Sequence, residues 1–148
     1  MEFESIEDLL IFLKNYGGND LLYFDLGIVT PSLAEAVKSL AGLDVSDYFL
    51  IIDSFTIRHA LNRHGNSAVE KSRGQIAIEV DDFALIPLMI SQYDQLAYEF
   101  ARQKHTLIFQ KALPKGCFVF AAEIRIGKRK RICSQSLRIL NKKKPTER

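Results

Sequence analysis

The chain has 148 residues, of which 47% are hydrophobic and 26% are charged, and its formal net charge is +2. This hydrophobic fraction excludes an intrinsically disordered chain, and the length suits one domain with its own core. No apolar run approaches the roughly 18 residues that a membrane-spanning helix needs, so we expect no membrane partner. The N-terminus is acidic where a signal peptide is basic, which favours a cytoplasmic protein.

Charge is distributed unevenly along the chain. Residues 1–57 hold two basic and ten acidic side chains, whereas residues 125–148 hold ten basic side chains and one acidic one. A basic segment favours phosphate binding, because a polyanion gains free energy when its counterions are released. A solubilising role is the alternative, and we prefer it for the tail, residues 141–148. On the hairpin before the tail we predict a nucleic-acid-binding surface made of Arg125, Lys128, Arg129, Lys130, Arg131 and Arg138.

The first part of the chain, residues 1–45, predicts a helix, a strand and a second helix. An amphipathic helix begins after Ser5, where a serine can cap the first turn. Residues 21–29 form a strand candidate. Thr30 then provides the N-cap of a helix that continues to about Leu40. We expect these residues to form an accessory layer that covers the core or contacts a partner.

The middle of the chain alternates between apolar and polar segments. Residues 48–52 form a short strand candidate, and residues 54–64 predict a helix that ends at Gly65 in a left-handed conformation. Residues 66–74 are polar and predict a loop. Residues 75–80 alternate as a short strand.

A helix and then a sheet follow. Asp81 and Asp82 are expected to cap an apolar helix that Pro87 weakens in its middle. From about Gln95 the apolar residues recur with a period of two, with turn signals at 101–104, 114–116 and 127–128. This pattern predicts an α+β domain with N-terminal helices packed on a C-terminal four-stranded antiparallel meander, in which residues 46–140 form the core unit.

Two cysteines, Cys117 and Cys133, fall in neighbouring predicted strands but do not stand opposite each other. A cross-strand disulfide is therefore not expected. With only three histidines beside them, a structural zinc site is not expected either. The Asp81-Asp82 pair has a better explanation as a helix cap than as a metal site.

The helix over residues 54–64 carries the densest group of reactive side chains. His59 and Arg63 are four residues apart and share a helix face, with Asn62 beside them. His64 lies at the C-terminal end, where its ring can bend back toward that face. The alternative is that His64 only caps the last carbonyl groups of the helix.

The last predicted strand supplies a second polar group. Strict alternation places Ser134, Ser136 and Arg138 on one face, and Cys133 on the other face with the apolar residues. A polar sheet face has two explanations, exposure to solvent or binding of phosphate. In the second strand of the sheet, Lys111 alternates with the core side chains and is expected to flank the core. The third histidine, His105, is expected at the surface beside a turn.

Taken together, these motifs resemble a known family. The segment IRHALNRHG, the segment GQIAIEVDDFALIP, a lysine-bearing strand and a terminal Ser are similar to the phage-associated nucleases of the barnase–EndoU–colicin–RelE superfamily. The resemblance covers about Phe49 to Leu140. It implies an endoribonuclease fold with helices on a four-stranded antiparallel sheet. It also implies a toxin or host-directed nuclease of a phage or mobile element.

The same resemblance implies roles for individual residues. His59 and His64 match the two histidines of the family, and Arg63 matches a basic neighbour. Ser136 matches a terminal Ser or Thr, and Lys111 is a looser match in the sheet. The implied reaction is metal-independent cleavage of RNA, in which His59 accepts the 2′-hydroxyl proton and His64 protonates the leaving oxygen.

No cofactor is expected for this chemistry. Candidate substrates are tRNA and rRNA, and a candidate partner is an immunity or antitoxin protein. Two alternatives stay open at this point. One is a non-catalytic RNA-binding module on the same fold. The other is a protein-interaction module in which the acidic residues 1–57 mask the basic face or bind a partner.

Overall fold

The computed structural model describes residues 3–127 and 129–141. Within these ranges the chain forms five α-helices, one 3₁₀ segment and a seven-stranded sheet. The helical segments are α1 (Ile6–Asn15), α2 (Pro31–Ala41), α3 (Ser54–His64), α4 (Ser67–Ser72), the 3₁₀ segment (Val80–Leu85) and α5 (Ile86–Ser91). The strands are β1 (Tyr23–Ile28), β2 (Phe49–Asp53), β3 (Gln75–Ile76), β4 (Gln95–Ala101), β5 (Lys104–Leu113), β6 (Gly116–Arg125) and β7 (Arg131–Leu140).

The α+β class is as predicted, but the sheet contains seven strands where the sequence predicted four. Its order is β1-β2-β7-β6-β5-β4, and β3 pairs with the C-terminal end of β7. The last four strands are antiparallel neighbours. Two of the additional strands, β1 and β2, join the sheet through β2, which lies parallel to β7, and β3 joins by its own antiparallel pairing with β7. Parallel pairing joins segments that are distant in the chain, so local alternation does not reveal it.

Helix α3 lies along the edge of β7. Strand β2 pairs with residues 131–133, and β3 pairs with residues 139–140, which leaves the middle of β7 without a strand on that side. Helix α3 fills this gap. The Thr56 hydroxyl donates to the Ser134 carbonyl oxygen at 2.8 Å and accepts from the Ser134 hydroxyl at 3.0 Å. These buried bonds hold α3 in register with the sheet.

The helices cover one face of the sheet, which we call the core face. It carries Leu107, Phe109, Phe118, Phe120 and Leu137, all at most 1% exposed. Apolar side chains of α1, α2, α3, the 3₁₀ segment and α5 belong to the same buried cluster. Leu9 of α1 and Val37 of α2 are fully buried in it. The first 45 residues therefore contribute to the same core, while their status as a separate accessory layer stays a prediction.

The opposite face, which we call the site face, carries the alternate residues of the same strands. Strand register aligns Ile108 with Ala121 and Ser136, and it aligns Val119 with Arg138. None of the helices in the described ranges has the length and apolar character needed to cross a membrane.

The segment after α3 differs from its predicted structure. Gly65 has φ −93°, not a left-handed conformation, and residues 66–74 contain α4 instead of only a loop. The Asn66 side chain caps α4 by accepting from the Val69 N–H at 3.1 Å. A side chain at Gly65 would collide with the Leu61 carbonyl group, so glycine is required there for close approach and not for its φ.

The predicted helix at Asp81 is divided into a 3₁₀ segment and α5. Pro87 lies in the first turn of α5, where its missing N–H costs no hydrogen bond, so it does not weaken the middle of a helix. Asp82 does act as a cap, because its carboxylate accepts from the Glu79 N–H at 2.7 Å. The predicted strand over residues 75–80 is reduced to Gln75–Ile76.

Candidate active site

Helix α3 begins and is oriented as its sequence pattern predicts. The Asp53 carboxylate caps it by accepting from the Thr56 N–H at 2.7 Å. Ile57 and Ala60 are buried in the core cluster. The residues between them therefore face away from the core, and His59 is exposed beside the site face.

Four of the five predicted catalytic residues meet in one cavity. This first cavity has a volume of about 330 Å³ and lies between α3 and the site face. His59, Arg63 and His64 of α3 line it from one side. Ser136 and Arg138 of β7 line it from the other. Asn62 is exposed on α3 and does not line this cavity.

His64 is held by a buried carboxylate. Its Nδ1 lies 2.9 Å from Oε1 of Glu70, whose side chain is 0% exposed. Arg73 donates to the second oxygen of Glu70 at 3.4 Å. A carboxylate oxygen that accepts from Nδ1 leaves the second ring nitrogen, Nε2, for a ligand in the cavity. The alternative in which His64 caps α3 is wrong, because its ring bonds to Glu70.

The sequence pattern does not predict that Glu70 contacts His64, because residues 66–74 are polar and indicate a loop. The available signal was Asn66, which is a favoured helix-capping residue. A helix beginning there turns the chain back, which brings Glu70 under the end of α3. The geometry of a carboxylate that orients an imidazole is the arrangement that general acid–base enzymes use.

A second cavity of about 310 Å³ adjoins the first, and His59 lines both. Phe55 lies beside His59, with ring centroids 6.2 Å apart and planes 8° from parallel. Glu123, Arg125 and Gln135 of the sheet also line this cavity. Lys104, at the start of β5, and Asp53, at the start of α3, complete its charged lining.

These cavities combine histidines, cations and hydroxyl groups on an α+β fold, which suits cleavage of a phosphodiester bond. The family model described as phage-Barnase-EndoU-ColicinE5/D-RelE like nuclease3 matches residues 27–146. The chain belongs to this nuclease family. The resemblance inferred from the motifs is thus confirmed, and the match begins earlier in the chain than the motifs indicated. Comparisons with curated proteins and with solved structures gave no match.

In this nuclease the predicted polar face of β7 is interrupted by a bulge. Ala121 pairs with Ser136 and Ala122 pairs with Ser134, so Gln135 has no partner in β6. One extra residue reverses the alternation of side chains before it. Ser134 is 2% exposed under α3. The prediction that it shares a face with Ser136 is therefore wrong.

The same bulge moves Cys133. Cys133 pairs with Glu123, so it lies on the site face. The prediction that it lies on the core face is wrong. Cys117 pairs opposite Leu140 in the neighbouring strand, and both cysteines are buried free thiols. Burial raises the pKa of each thiol above its usual value, which keeps the sulfur protonated at neutral pH.

Lys111 of this nuclease lines neither of the two cavities beside α3. It pairs with Phe118 of the core face, and its ammonium donates to the Gln92 carbonyl oxygen at 2.7 Å. Asp94 lies 3.8 Å away. The expectation that Lys111 flanks the core is confirmed, and this position does not support the looser match to a catalytic lysine, which stays a prediction. The lysine of β5 that reaches a cavity beside α3 is Lys104.

The predicted basic surface is split between two places. Arg125 and Arg138 line the two cavities beside α3. Arg129, Lys130 and Arg131 line a third cavity of about 310 Å³ at the opposite end of β2, together with Asp47 and the half-exposed Phe49. Lys128 and residues 142–148 of the basic tail lie outside the described residues.

His105 occupies neither cavity beside α3. It is half-buried, its Nδ1 lies 2.6 Å from the Tyr98 hydroxyl, and its ring centroid is 4.6 Å from that of Phe100. The predicted free surface position is therefore only partly correct. Across residues 3–127 and 129–141, no group of three or more His, Cys, Asp or Glu side chains is arranged to hold a metal ion.

Proposed function

We propose that this nuclease is an endoribonuclease that cleaves RNA without a metal ion, by attack of a 2′-hydroxyl on the adjacent phosphate. One observation carries the proposal. His59 and a carboxylate-bound His64 line the same cavity, and Arg63, Ser136 and Arg138 line it with them. Two imidazoles are sufficient for transfer of a proton at each end of the reaction.

In the proposed reaction the neutral ring of His59 removes the proton of the 2′-hydroxyl. The 2′-oxygen bonds to phosphorus, and the bond from phosphorus to the 5′-oxygen breaks. His64 acts in its protonated form, in which Nδ1–H bonds to Glu70, and it gives the Nε2 proton to that departing oxygen. The products are a 2′,3′-cyclic phosphate and a 5′-hydroxyl. DNA has no 2′-hydroxyl, so this chemistry is restricted to RNA.

The remaining polar residues of the first cavity stabilise the negative charge of the phosphate in this proposal. Arg63 and Arg138 approach the phosphate from α3 and from β7, and they stabilise the additional negative charge of the transition state. Ser136 donates a hydrogen bond to a non-bridging oxygen. Glu70 makes no contact with the substrate in this proposal and acts by holding the His64 ring.

Substrate binding extends beyond this cavity in the proposal. Exposed Arg129 and half-buried Arg131 lie beside the Phe49 ring in the third cavity, which combines cations with an aromatic surface. That combination suits single-stranded RNA, through phosphate contacts and stacking of bases. Transfer RNA and ribosomal RNA are the proposed substrate classes.

The biological role that we propose is that of a toxin or host-directed nuclease of a phage or mobile element. It is supported by the phage origin in the description of the family. An immunity or antitoxin protein is the proposed partner. Expression of the chain in bacteria is expected to stop growth, and His59→Ala is expected to abolish that effect.

The decisive experiment incubates the protein with total tRNA and rRNA in EDTA. Cleavage is expected, with cyclic phosphate ends detected by mass spectrometry. His59→Ala and His64→Ala are each expected to lower the rate by about 10²–10⁴-fold. His105→Ala is the matched control, since this histidine lies outside the cavities, and it should retain activity.

Each alternative result has a separate meaning. Cleavage that requires added Mg²⁺ contradicts the metal-independent reaction. Full activity of His59→Ala contradicts the role of that histidine. Binding that weakens with salt, without any cleavage, favours the non-catalytic RNA-binding module, for which Phe49 and the basic hairpin are the supporting observation.

A further inference from the structure

The second cavity has an aromatic wall. Phe55 is 67% exposed, although the other apolar side chains of α3 pack against the core. Its ring lies nearly parallel to that of His59. An exposed aromatic ring beside a catalytic group is suited to stacking a nucleobase.

The opposite wall of this cavity is a fixed carboxylate. Arg125 Nε and Gln135 Nε2 each donate to Oε1 of Glu123 at 3.2 Å. The bulge at Gln135 makes this possible, because it brings that side chain beside Glu123. Within the described residues, Oε2 of Glu123 receives no hydrogen bond. One oxygen therefore anchors the carboxylate, and the other can accept from a ligand.

The two cavities are ordered along one path. His59 lines both, so a ligand in the second cavity lies directly beside a phosphate in the first. A volume of about 310 Å³ is at the lower end of the range for small-molecule pockets. Lys104 and Arg125 balance the two carboxyl groups of this cavity, Asp53 and Glu123, so its charged lining is divided equally between two basic and two acidic residues.

We propose that the second cavity is a nucleobase subsite, which stacks the base next to the scissile phosphate on Phe55 and selects a base with an exocyclic amino group through Glu123. A carboxylate accepts hydrogen bonds and cannot donate them. Adenine, cytosine and guanine present an amino group to such an acceptor. Uracil has no amino group. Its single imino N–H lies between two carbonyl oxygens, and the negative carboxylate repels these oxygens. The identity of the ligand as RNA rests on the proposed function.

The test uses DNA oligonucleotides that contain a single ribonucleotide, so that only one bond can be cleaved. The bases on each side of that bond are varied. At one of the two positions, an amino-bearing base is expected to be cleaved about tenfold faster than uracil. Glu123→Gln is expected to remove this preference, because an amide can donate to a uracil carbonyl. Equal rates for all bases with the unmodified protein would overturn the subsite.

Phe55→Ala provides a second variant that does not depend on Glu123. Phe55 is exposed, so its removal leaves the fold intact. Loss of stacking is expected to lower the cleavage rate of every oligonucleotide by about tenfold. Phe100→Ala removes a 55% exposed ring that lines none of the three cavities and is the matched control, with the cleavage rate and the base preference unchanged. An unchanged rate in Phe55→Ala would overturn the stacking role.

Binding measurements separate this inference from the proposed function. All-deoxy oligonucleotides cannot undergo the proposed reaction, and their affinity is measured by fluorescence anisotropy with deoxyuridine or an amino-bearing base at the tested position. If the protein cleaves nothing but still prefers the amino-bearing base, and Glu123→Gln loses that preference, the subsite stands and the proposed function fails. If the protein cleaves RNA while Glu123→Gln keeps the same preference, the subsite fails and the proposed function stands.

Discussion

The core face and the site face belong to the same strands, yet the core face is tightly packed whereas the site face borders a cavity. Phe118 and Phe120 of β6 project into the core and are at most 1% exposed. Their neighbours Val119 and Ala121 lie on the site face and line the first cavity. Small side chains on one face leave space beside α3, while large ones on the other exclude water. A single strand thus supplies both stability and room for a substrate.

The largest expected effect tests the filled side. Phe120→Ala should lower the free energy of unfolding by about 3–5 kcal/mol, because it removes a buried ring and leaves a void. Urea denaturation measures this change. The adjacent variant Ala121→Leu is the comparison, and it should keep most of the stability while it blocks the first cavity and abolishes cleavage. Equal losses of stability in the two variants would contradict the difference between the faces.

The next effect tests the positioning of His64. Glu70→Gln should lower the cleavage rate by about 10²-fold or more, because the carboxylate no longer orients the ring. The informative readout is a double variant. In a His64→Ala background, Glu70→Gln should cause no further loss of activity. An additional large loss in that background would show that Glu70 acts independently of His64.

A smaller effect concerns the 3₁₀ segment that packs into the core. The Lys115 ammonium donates to Asp82 at 2.7 Å and to Glu79 at 3.0 Å. Asp82→Ala should cost about 1–3 kcal/mol of unfolding free energy, since Asp82 is 8% exposed and also caps the segment. Asp81→Ala is the control, because the Asp81 side chain is 77% exposed and should matter little.

The same ion pair predicts a dependence on pH. Burial lowers the pKa of Lys115, but hydrogen bonds to Asp82 and Glu79 outweigh it, so the pKa is raised above its usual value. A raised pKa in the folded state means that the ion pair stabilises the fold below about pH 10.4, the ordinary value for lysine. This contribution is lost as the pH rises through the folded pKa. Thermal unfolding at pH 7 and at pH 11 should therefore differ less in Asp82→Ala than in the unmodified protein.

The smallest expected effect is on RNA affinity and concerns an ion pair that lies outside the core face and the site face. Lys130 donates to Asp47 at 2.8 Å, which joins the acidic part of the chain to the basic hairpin. Asp47→Asn should raise the affinity for RNA by about twofold at low salt, because it frees Lys130 for phosphate. Unchanged affinity would argue against masking by residues 1–57. This variant is a better test than removal of the first 45 residues, because those residues contribute buried side chains such as Leu9 to the core.

Much of the fold follows from local sequence patterns. The caps at Ser5, Thr30 and Asp53 each accept the backbone hydrogen bond that starts a helix, as their residue types predict. The period-two pattern after Gln95 correctly located four antiparallel strands. The short helix α4 is not predicted by its sequence pattern, because six residues are too few to show a helical periodicity.

The candidate site shows the same division. The four-residue spacing of His59 and Arg63 predicts that they share a face of α3, and the family resemblance adds His64; all three line the first cavity. The error at Ser134 has a different origin. Gln135 has no partner in β6, and this extra residue moves the preceding residues of β7 to the opposite face of the sheet. Local residue preferences do not predict where such a bulge occurs.

The sequence by itself determined the α+β class, the helix that carries the histidines and the resemblance to a nuclease family, because these depend on residue types and short spacings. Only the tertiary structure decided that Glu70 holds His64, that Ser134 lies under α3 and that a second cavity adjoins His59. Each of these depends on contacts between elements that are separated in the chain. Such contacts arise from packing, which local patterns do not encode.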